Sequence, residues 1–170
     1  MKHLLLIFLT PLYLFSCNHN LPQPATSDFA GTWRLLTRTD KTKDGKIIPE
    51  TSLGSDPIAI LFYDSKGNMS VQIMKRNRET TSGNVTINKD PSPTNTANFA
   101  GYDAYFGKYE IDFKNKTITH IIEGALIPSD IGRKLKRNFE FKDNKLHLFF
   151  ETSNNLSDKV TRTLVWEKIY

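Results

Sequence analysis

Two arginines stand among apolar residues that recur at every second position. Arg137 lies between Leu135 and Phe139, and Arg162 falls in a similar alternating run. A guanidinium inside an apolar interior is costly unless a group of opposite charge pairs with it. A ligand carboxylate would suit the planar fork of Arg137, and Tyr105 or Tyr109 would add a hydroxyl donor. We therefore interpret these four residues as candidates for binding an anionic group.

Partners within the chain are the alternative for both arginines. Arg137 would then pair with Glu123 or Asp103, or extend its charge to the rim of the domain. Arg162 is expected near that rim, where solvent access makes a ligand less necessary. The residue pattern leaves both interpretations open.

His120 is the histidine expected in the interior, because it shares alternating positions with Ile118 and Ile122. We interpret it as a core histidine with its hydrogen bonds satisfied, and as a candidate ligand contact. Glu123, near His120 in the chain, is a further candidate ligand contact. A second interpretation makes His120 and Glu123 an acid–base pair. Positions three apart on a strand point to opposite faces, so that pair requires a bulge beside Gly124.

Other kinds of chemistry are not indicated. The sequence contains no nucleophile elbow, phosphate loop, dinucleotide fingerprint or His-Glu-x-x-His motif. One interior histidine and one cysteine predict neither a metal site nor a cofactor. The net charge of +5 comes from interspersed acids and bases. The basic run 133–137 lacks interleaved aromatic residues, so no nucleic-acid partner is expected.

Eight predicted β-strands must position these side chains. They are rich in β-branched and aromatic residues, are separated by turn residues, and cover 31–39, 57–64, 69–75, 104–113, 117–125, 134–142, 145–152 and 160–168. Alternation is clearest in the fourth strand, where Tyr105, Tyr109 and Ile111 share one face. Such strands are half-buried.

The connections between these strands sort by length. Those at one end are tight and have the composition of hairpin turns: 65–68, 114–116 and 143–144. Those at the other end are longer: 40–56, 76–103, 126–133 and 153–159. This sorting predicts an all-β fold, an eight-stranded antiparallel up-and-down β-barrel. A long loop or short helix, with a turn at 94–101, is expected to lid the open end.

The N-terminus predicts export. Residues 1–16 have a short basic start followed by an apolar stretch, as in a signal peptide, and are followed by Cys17, the only cysteine. Leu14-Phe15-Ser16-Cys17 is similar to a bacterial lipoprotein signal, so we expect Cys17 to be lipidated. A plain signal peptide with an idle thiol is the alternative. Residues 17–28 are expected to tether the domain, 29–170, to a bacterial membrane in the cell envelope, with the outer membrane favoured.

Several segments, in order, carry a family resemblance. They are Gly31-Thr32-Trp33, Met69 to Ile73, Tyr105 to Asp112, Thr119 to Gly124 and Leu164 to Lys168. With them the chain resembles the lipocalin-like domain family from Phe29 to Tyr170. The resemblance implies a calycin-type β-barrel and small-molecule binding.

We therefore expect a lipid-anchored envelope protein that binds a small apolar or amphipathic ligand, anionic ligands included. The ligand head would lie at Arg137 and its tail among the lower residues Phe139, Phe141, Ile111, Phe113, Leu148 and Trp33. Trp33 and Trp166 are expected to plug the lower core. Two alternatives are an envelope interaction module with a filled barrel, and a barrel isomerase or cyclase that uses His120. The sequence leaves the oligomeric state open.

Overall fold

Antiparallel strands dominate the computed structural model, which describes residues 24–50, 52–77, 101–153 and 159–169. The elements in chain order are α1 (Thr26–Phe29), β1 (Gly31–Lys41), β2 (Ile47–Ile48), β3 (Ile58–Tyr63), β4 (Asn68–Met74), β5 (Tyr102–Asp112), β6 (Thr117–Ala125), a 3₁₀ turn (Pro128–Asp130), β7 (Lys134–Lys142), β8 (Lys145–Ser153) and β9 (Lys159–Lys168). No helix among these residues is long and apolar enough to cross a membrane.

The eight long strands close into a barrel. Each pairs with its neighbour in the chain, and β1 also pairs with β9, so that Trp33 lies opposite both Leu61 and Lys168. Within the described residues, each long strand therefore pairs with a strand on both sides, and the closed sheet has no edge strand among them. The predicted antiparallel eight-stranded barrel is confirmed. The two-residue β2 is an addition that pairs only with the upper end of β1.

Tight turns close the lower end of the barrel. Asp143 and Asn144 join β7 to β8 with φ angles of 51° and 58°, as a two-residue type I′ turn requires. The upper connections are longer and span 42–57, 75–101, 126–133 and 154–158. The predicted lid at 94–101 lies outside the described residues except for Gly101.

A β-bulge at Leu36 changes which side chains of β1 point inward. The pairing with β9 shifts register between Leu35 and Thr37. Before the bulge, Trp33 and Leu35 are buried; after it, the buried residues are Arg38 and Asp40 rather than their neighbours. The extra residue reverses the two-residue alternation, so β1 presents apolar groups to the lower interior and charged groups to the upper interior.

Phe29 fills the lower half of the barrel. It is fully buried, with its ring centroid 4.9 Å from that of Phe139 and 5.0 Å from that of Phe141. Trp33 Nε1 donates a 2.8 Å hydrogen bond to the carbonyl oxygen of Phe29. The space expected for the tail of a ligand is therefore occupied by the protein itself.

The last residues of the segment expected to be a tether contact the base of the barrel. Asp28 accepts a 2.7 Å hydrogen bond from the backbone N–H of Ala25, which stabilises the first turn of α1. Lys168 Nζ donates to the carbonyl oxygen of Asp28 at 3.1 Å. The last residues before the domain are thus helical and docked against the base of the barrel.

Candidate functional site

A small cavity remains above the Phe29 plug. Its volume, counted as the space open to the centres of water molecules, is about 50 Å³. This is room for a few waters or one small molecule. Its lower wall is apolar and includes Leu61, Val71 and Leu148. Its polar lining includes Arg38, Asp103, Tyr105, His120, Arg137 and Arg162. The cavity therefore combines a short apolar wall with several polar and ionisable groups.

The loop between β2 and β3 covers part of this cavity. Leu53 is buried and lines it. The loop is held by Glu50, whose carboxylate accepts hydrogen bonds from Arg38 Nη1 and from the backbone N–H of Leu53, the latter at 2.8 Å. The Arg38–Glu50 ion pair is buried. This ion pair anchors the loop that covers the cavity, a feature that was not predicted from the sequence.

Arg162 is paired within the chain. Its Nε and Nη2 atoms each donate a 2.7 Å hydrogen bond to the carboxylate of Asp40. Both side chains are buried. Arg162 lines the cavity as predicted for a contact residue, but its charge is already satisfied, and it does not extend to solvent at the rim.

Arg137 has no carboxylate partner in the described part of the chain. Its Nη2 donates to Tyr105 Oη at 3.1 Å, and its guanidinium carbon lies 4.6 Å from the centroid of the Phe150 ring. Its Nη1 makes a long contact, 3.4 Å, with the carbonyl oxygen of Leu135. Neither of the internal partners considered from the sequence forms an ion pair with it. The half-buried guanidinium thus lines the cavity with its charge uncompensated by a contacting acid.

His120 connects two tyrosines behind this arginine. Its Nε2 lies 2.6 Å from Tyr63 Oη, and its Nδ1 lies 3.1 Å from Tyr105 Oη. Burial, and secondarily the nearby charge of Arg137, hold the pKa of His120 well below its usual value. The imidazole is therefore neutral, with one nitrogen that donates and one that accepts.

The position of the His120 proton follows from Tyr63. Tyr63 is fully buried, and among the described residues its hydroxyl finds no acceptor other than His120 Nε2. A buried hydroxyl hydrogen without an acceptor is costly, so Tyr63 donates to Nε2 and His120 donates from Nδ1 to Tyr105 Oη. Since Arg137 also donates to that oxygen, the Tyr105 hydroxyl hydrogen is left for an acceptor in the cavity.

Asp103 is a second cavity residue without a side-chain partner in the described segments. Its pKa is raised to about 6, first by burial and then by the nearby charge of Asp130. A hydrogen bond from the Ala104 backbone N–H and the charges of Arg137 and Arg38 act in the opposite direction. Near neutral pH it is a carboxylate held at an energetic cost.

Tyr109 and Glu123, both predicted contacts, are placed elsewhere. Tyr109 points inward but low in the barrel, where its hydroxyl donates to the carbonyl oxygen of Asp64 at 2.6 Å. Glu123 sits at a bulge between β5 and β6, where Phe106 pairs with Gly124 and Gly107 pairs with Ile122. This bulge leaves Glu123 exposed on the outer face. The acid–base pair with His120 is therefore not assembled.

Several residues around the cavity were not predicted from the sequence. Arg38 and Asp40 were hidden by the bulge, for which the consecutive Leu35 and Leu36 were the available signal. Trp166 lines the cavity rather than only plugging the base. Its Nε1, like the Nε of Arg38, is a buried donor that finds no hydrogen-bond acceptor among the described residues. No group of side chains that could hold a metal ion occurs among the residues described.

Comparison with known proteins agrees with the barrel. The family model described as a lipocalin-like domain matches residues 30–169, a span that includes all eight long strands in full. A search of curated protein sequences returned no match. The family match confirms the resemblance inferred from the five segments. This chain belongs to the lipocalin-like domain family.

Proposed function

We propose that the protein binds a small molecule through a carboxylate or similar anionic group in the upper half of its barrel. The observation that carries this proposal is Arg137, whose guanidinium lines the cavity without a carboxylate partner among the described residues. Tyr105 supplies a second donor toward the same space. Charge-assisted hydrogen bonds of this kind are stronger than neutral ones and fix the orientation of a carboxylate.

The dimensions of the interior limit the apolar part of the ligand. Phe29 occupies the base of the barrel, and the cavity above it admits only a small molecule. Its walls are mostly apolar, with Val71, Ile73 and Leu148 among them. These features favour a compact amphipathic acid over a long acyl chain.

Calorimetric titration with straight-chain carboxylates of two to eight carbons tests this proposal, with the neutral amides of the same lengths as controls. We expect the acids to bind more tightly than the amides, and Arg137→Gln to weaken acid binding about 10- to 100-fold. Arg34→Gln is the matched control because Arg34 is exposed and pairs with Glu167 on the outer face. Equal affinities of wild type and Arg137→Gln would contradict the assignment of the site.

A filled barrel that contacts other envelope proteins is the second candidate, and the small size of the cavity favours it. The same titration separates the two. If no carboxylate changes the heat signal or the fluorescence of Trp166, the binding proposal fails and the interaction module is retained.

We also propose that the protein is a lipoprotein of the bacterial cell envelope, anchored through Cys17 with the outer membrane favoured. The basic start, the apolar stretch from Leu4 to Phe15 and the single cysteine support this proposal. Metabolic labelling with palmitate in a bacterial host should label the wild type but not Cys17→Ala, and only the wild type should sediment with membranes. An unlabelled wild type would contradict lipidation.

A further inference from the structure

We infer that the ligand is amphoteric, an inference that rests on the proposed binding site: besides the anionic group at Arg137, it carries a cationic group that binds Asp103. The two residues present opposite charges to one cavity. They are not within ion-pair distance of each other, so neither forms a direct ion pair with the other, although the charge of Arg137 acts on Asp103 through space. A molecule with charges in the complementary order would neutralise both.

The strand geometry puts the two sites close together. Asp103 and Tyr105 point inward from β5 two residues apart, which corresponds to about 7 Å between Cα atoms. The Tyr105 hydroxyl receives the hydrogen bond from Arg137 Nη2. An anionic group held by Arg137 and Tyr105 would therefore leave the rest of a small ligand beside Asp103.

The pairing of the other charges makes these two exceptional. The remaining ionised side chains that line the cavity have partners in the chain: Arg38 with Glu50, Arg162 with Asp40, and Asp130 with Arg133. Among the described residues, Arg137 and Asp103 are the charged lining groups left without an ionic contact. Holding a buried or half-buried charge unpaired is unfavourable, and a bound counter-charge would relieve it.

The acidic side of the cavity also discriminates against a simple acid. Asp130 lines the cavity with Asp103 and raises its pKa. A ligand that carried only a carboxylate would contact Arg137 but leave Asp103 without a counter-charge, whereas an added ammonium group would be attracted to Asp103. The same ammonium would stabilise the ionised form of Asp103.

Matched ligands separate this inference from the proposed function. Leucine, 4-methylpentanoate and 3-methylbutylamine share a branched chain. Leucine carries both charges, 4-methylpentanoate carries only the carboxylate, and 3-methylbutylamine carries only the ammonium group. The ω-amino acids of three to six carbons vary the spacing between the two charges. Each is compared with the straight-chain acid and the straight-chain amine that carry one of its charges. Affinities are measured by calorimetry at pH 7.5 for wild type, Asp103→Asn and Glu151→Gln, the last altering an exposed carboxylate outside the cavity.

At least one amphoteric ligand should bind wild type about tenfold or more tightly than its acid and its amine. Asp103→Asn should remove that advantage without weakening the acid, and Glu151→Gln should retain it. If the acids bind but every amphoteric counterpart binds no better, or if Asp103→Asn retains the preference, the inference is wrong and the proposed function stands. If no ligand binds, both fail.

Discussion

Asp40 and Arg162 lie directly opposite each other on β1 and β9. The Asp40 carboxylate accepts two hydrogen bonds of 2.7 Å, one from Arg162 Nε and one from Arg162 Nη2. The pair is buried inside the barrel. It exists because the bulge at Leu36 turns Asp40 inward. Arg162 and Arg137 therefore differ in role although both arginines line the same cavity: one is paired by the protein, and the other is not.

Replacing Arg162 should destabilise the fold strongly. Arg162→Met leaves the Asp40 carboxylate buried without its partner, and we expect a loss of about 3–5 kcal/mol in the free energy of unfolding. Urea denaturation measures it. Arg34→Met, which breaks an exposed pair with Glu167, should cost less than about 1 kcal/mol. Similar losses in the two variants would show that Asp40 finds another partner or is hydrated.

Replacing Arg137 should affect binding more than stability. Arg137→Gln removes no ion pair seen among the described residues and can keep a hydrogen bond to Tyr105. We expect the free energy of unfolding to change by less than about 1 kcal/mol, while the affinity for carboxylates falls. A stability loss as large as that of Arg162→Met would indicate that Arg137 has an essential partner inside the protein.

The Phe29 plug should be essential to the lower core. Phe29→Ala removes a fully buried ring that packs on Phe139 and Phe141, so we expect a loss of about 3–5 kcal/mol. Urea denaturation with Phe62→Ala as control tests this, because Phe62 is 42 % exposed on the outer face. An equal loss in both variants would mean that the plug contributes little.

His120 should remain neutral in the folded state at pH values where an unfolded histidine is protonated. Because its folded-state pKa is depressed, its contribution to stability is present above the unfolded pKa, about 6.5, and decreases as pH falls below that value. ¹⁵N NMR should find the proton on Nδ1 at pH 7, with no titration near pH 6.5. A signal from protonated Nε2 would contradict the hydrogen-bond order derived from Tyr63.

Asp103 should give the opposite pH dependence. The pKa of Asp103 is raised to about 6. Its contribution to the stability of the fold is therefore fully present below the usual pKa of aspartate and decreases as pH rises through about 6. Between pH 4 and pH 7, Asp103→Asn should therefore gain stability relative to wild type by up to about 3 kcal/mol, at 1.36 kcal/mol per pKa unit. Urea denaturation across this range measures the gain; a difference that does not vary with pH would contradict it.

Local patterns were enough to predict the strands and much of the interior. Two-residue alternation indicates the buried face of a strand without reference to its neighbours, so the inward positions of His120 and Arg137 could be predicted. Short turn sequences such as Asp143-Asn144 likewise specify a hairpin locally. The barrel itself followed from the number of strands and the sorting of their connections.

Only the tertiary structure decided which charged groups pair and how much space remains. The bulge at Leu36 depends on the register between β1 and β9, so it could not be derived from β1 alone, and it determines that Asp40 meets Arg162. Phe29 precedes the first strand in the chain, and its burial depends on rings contributed by β7. Periodicity specifies the side of a strand on which a residue lies, whereas its partners and the residual volume depend on side chains that are distant in the sequence.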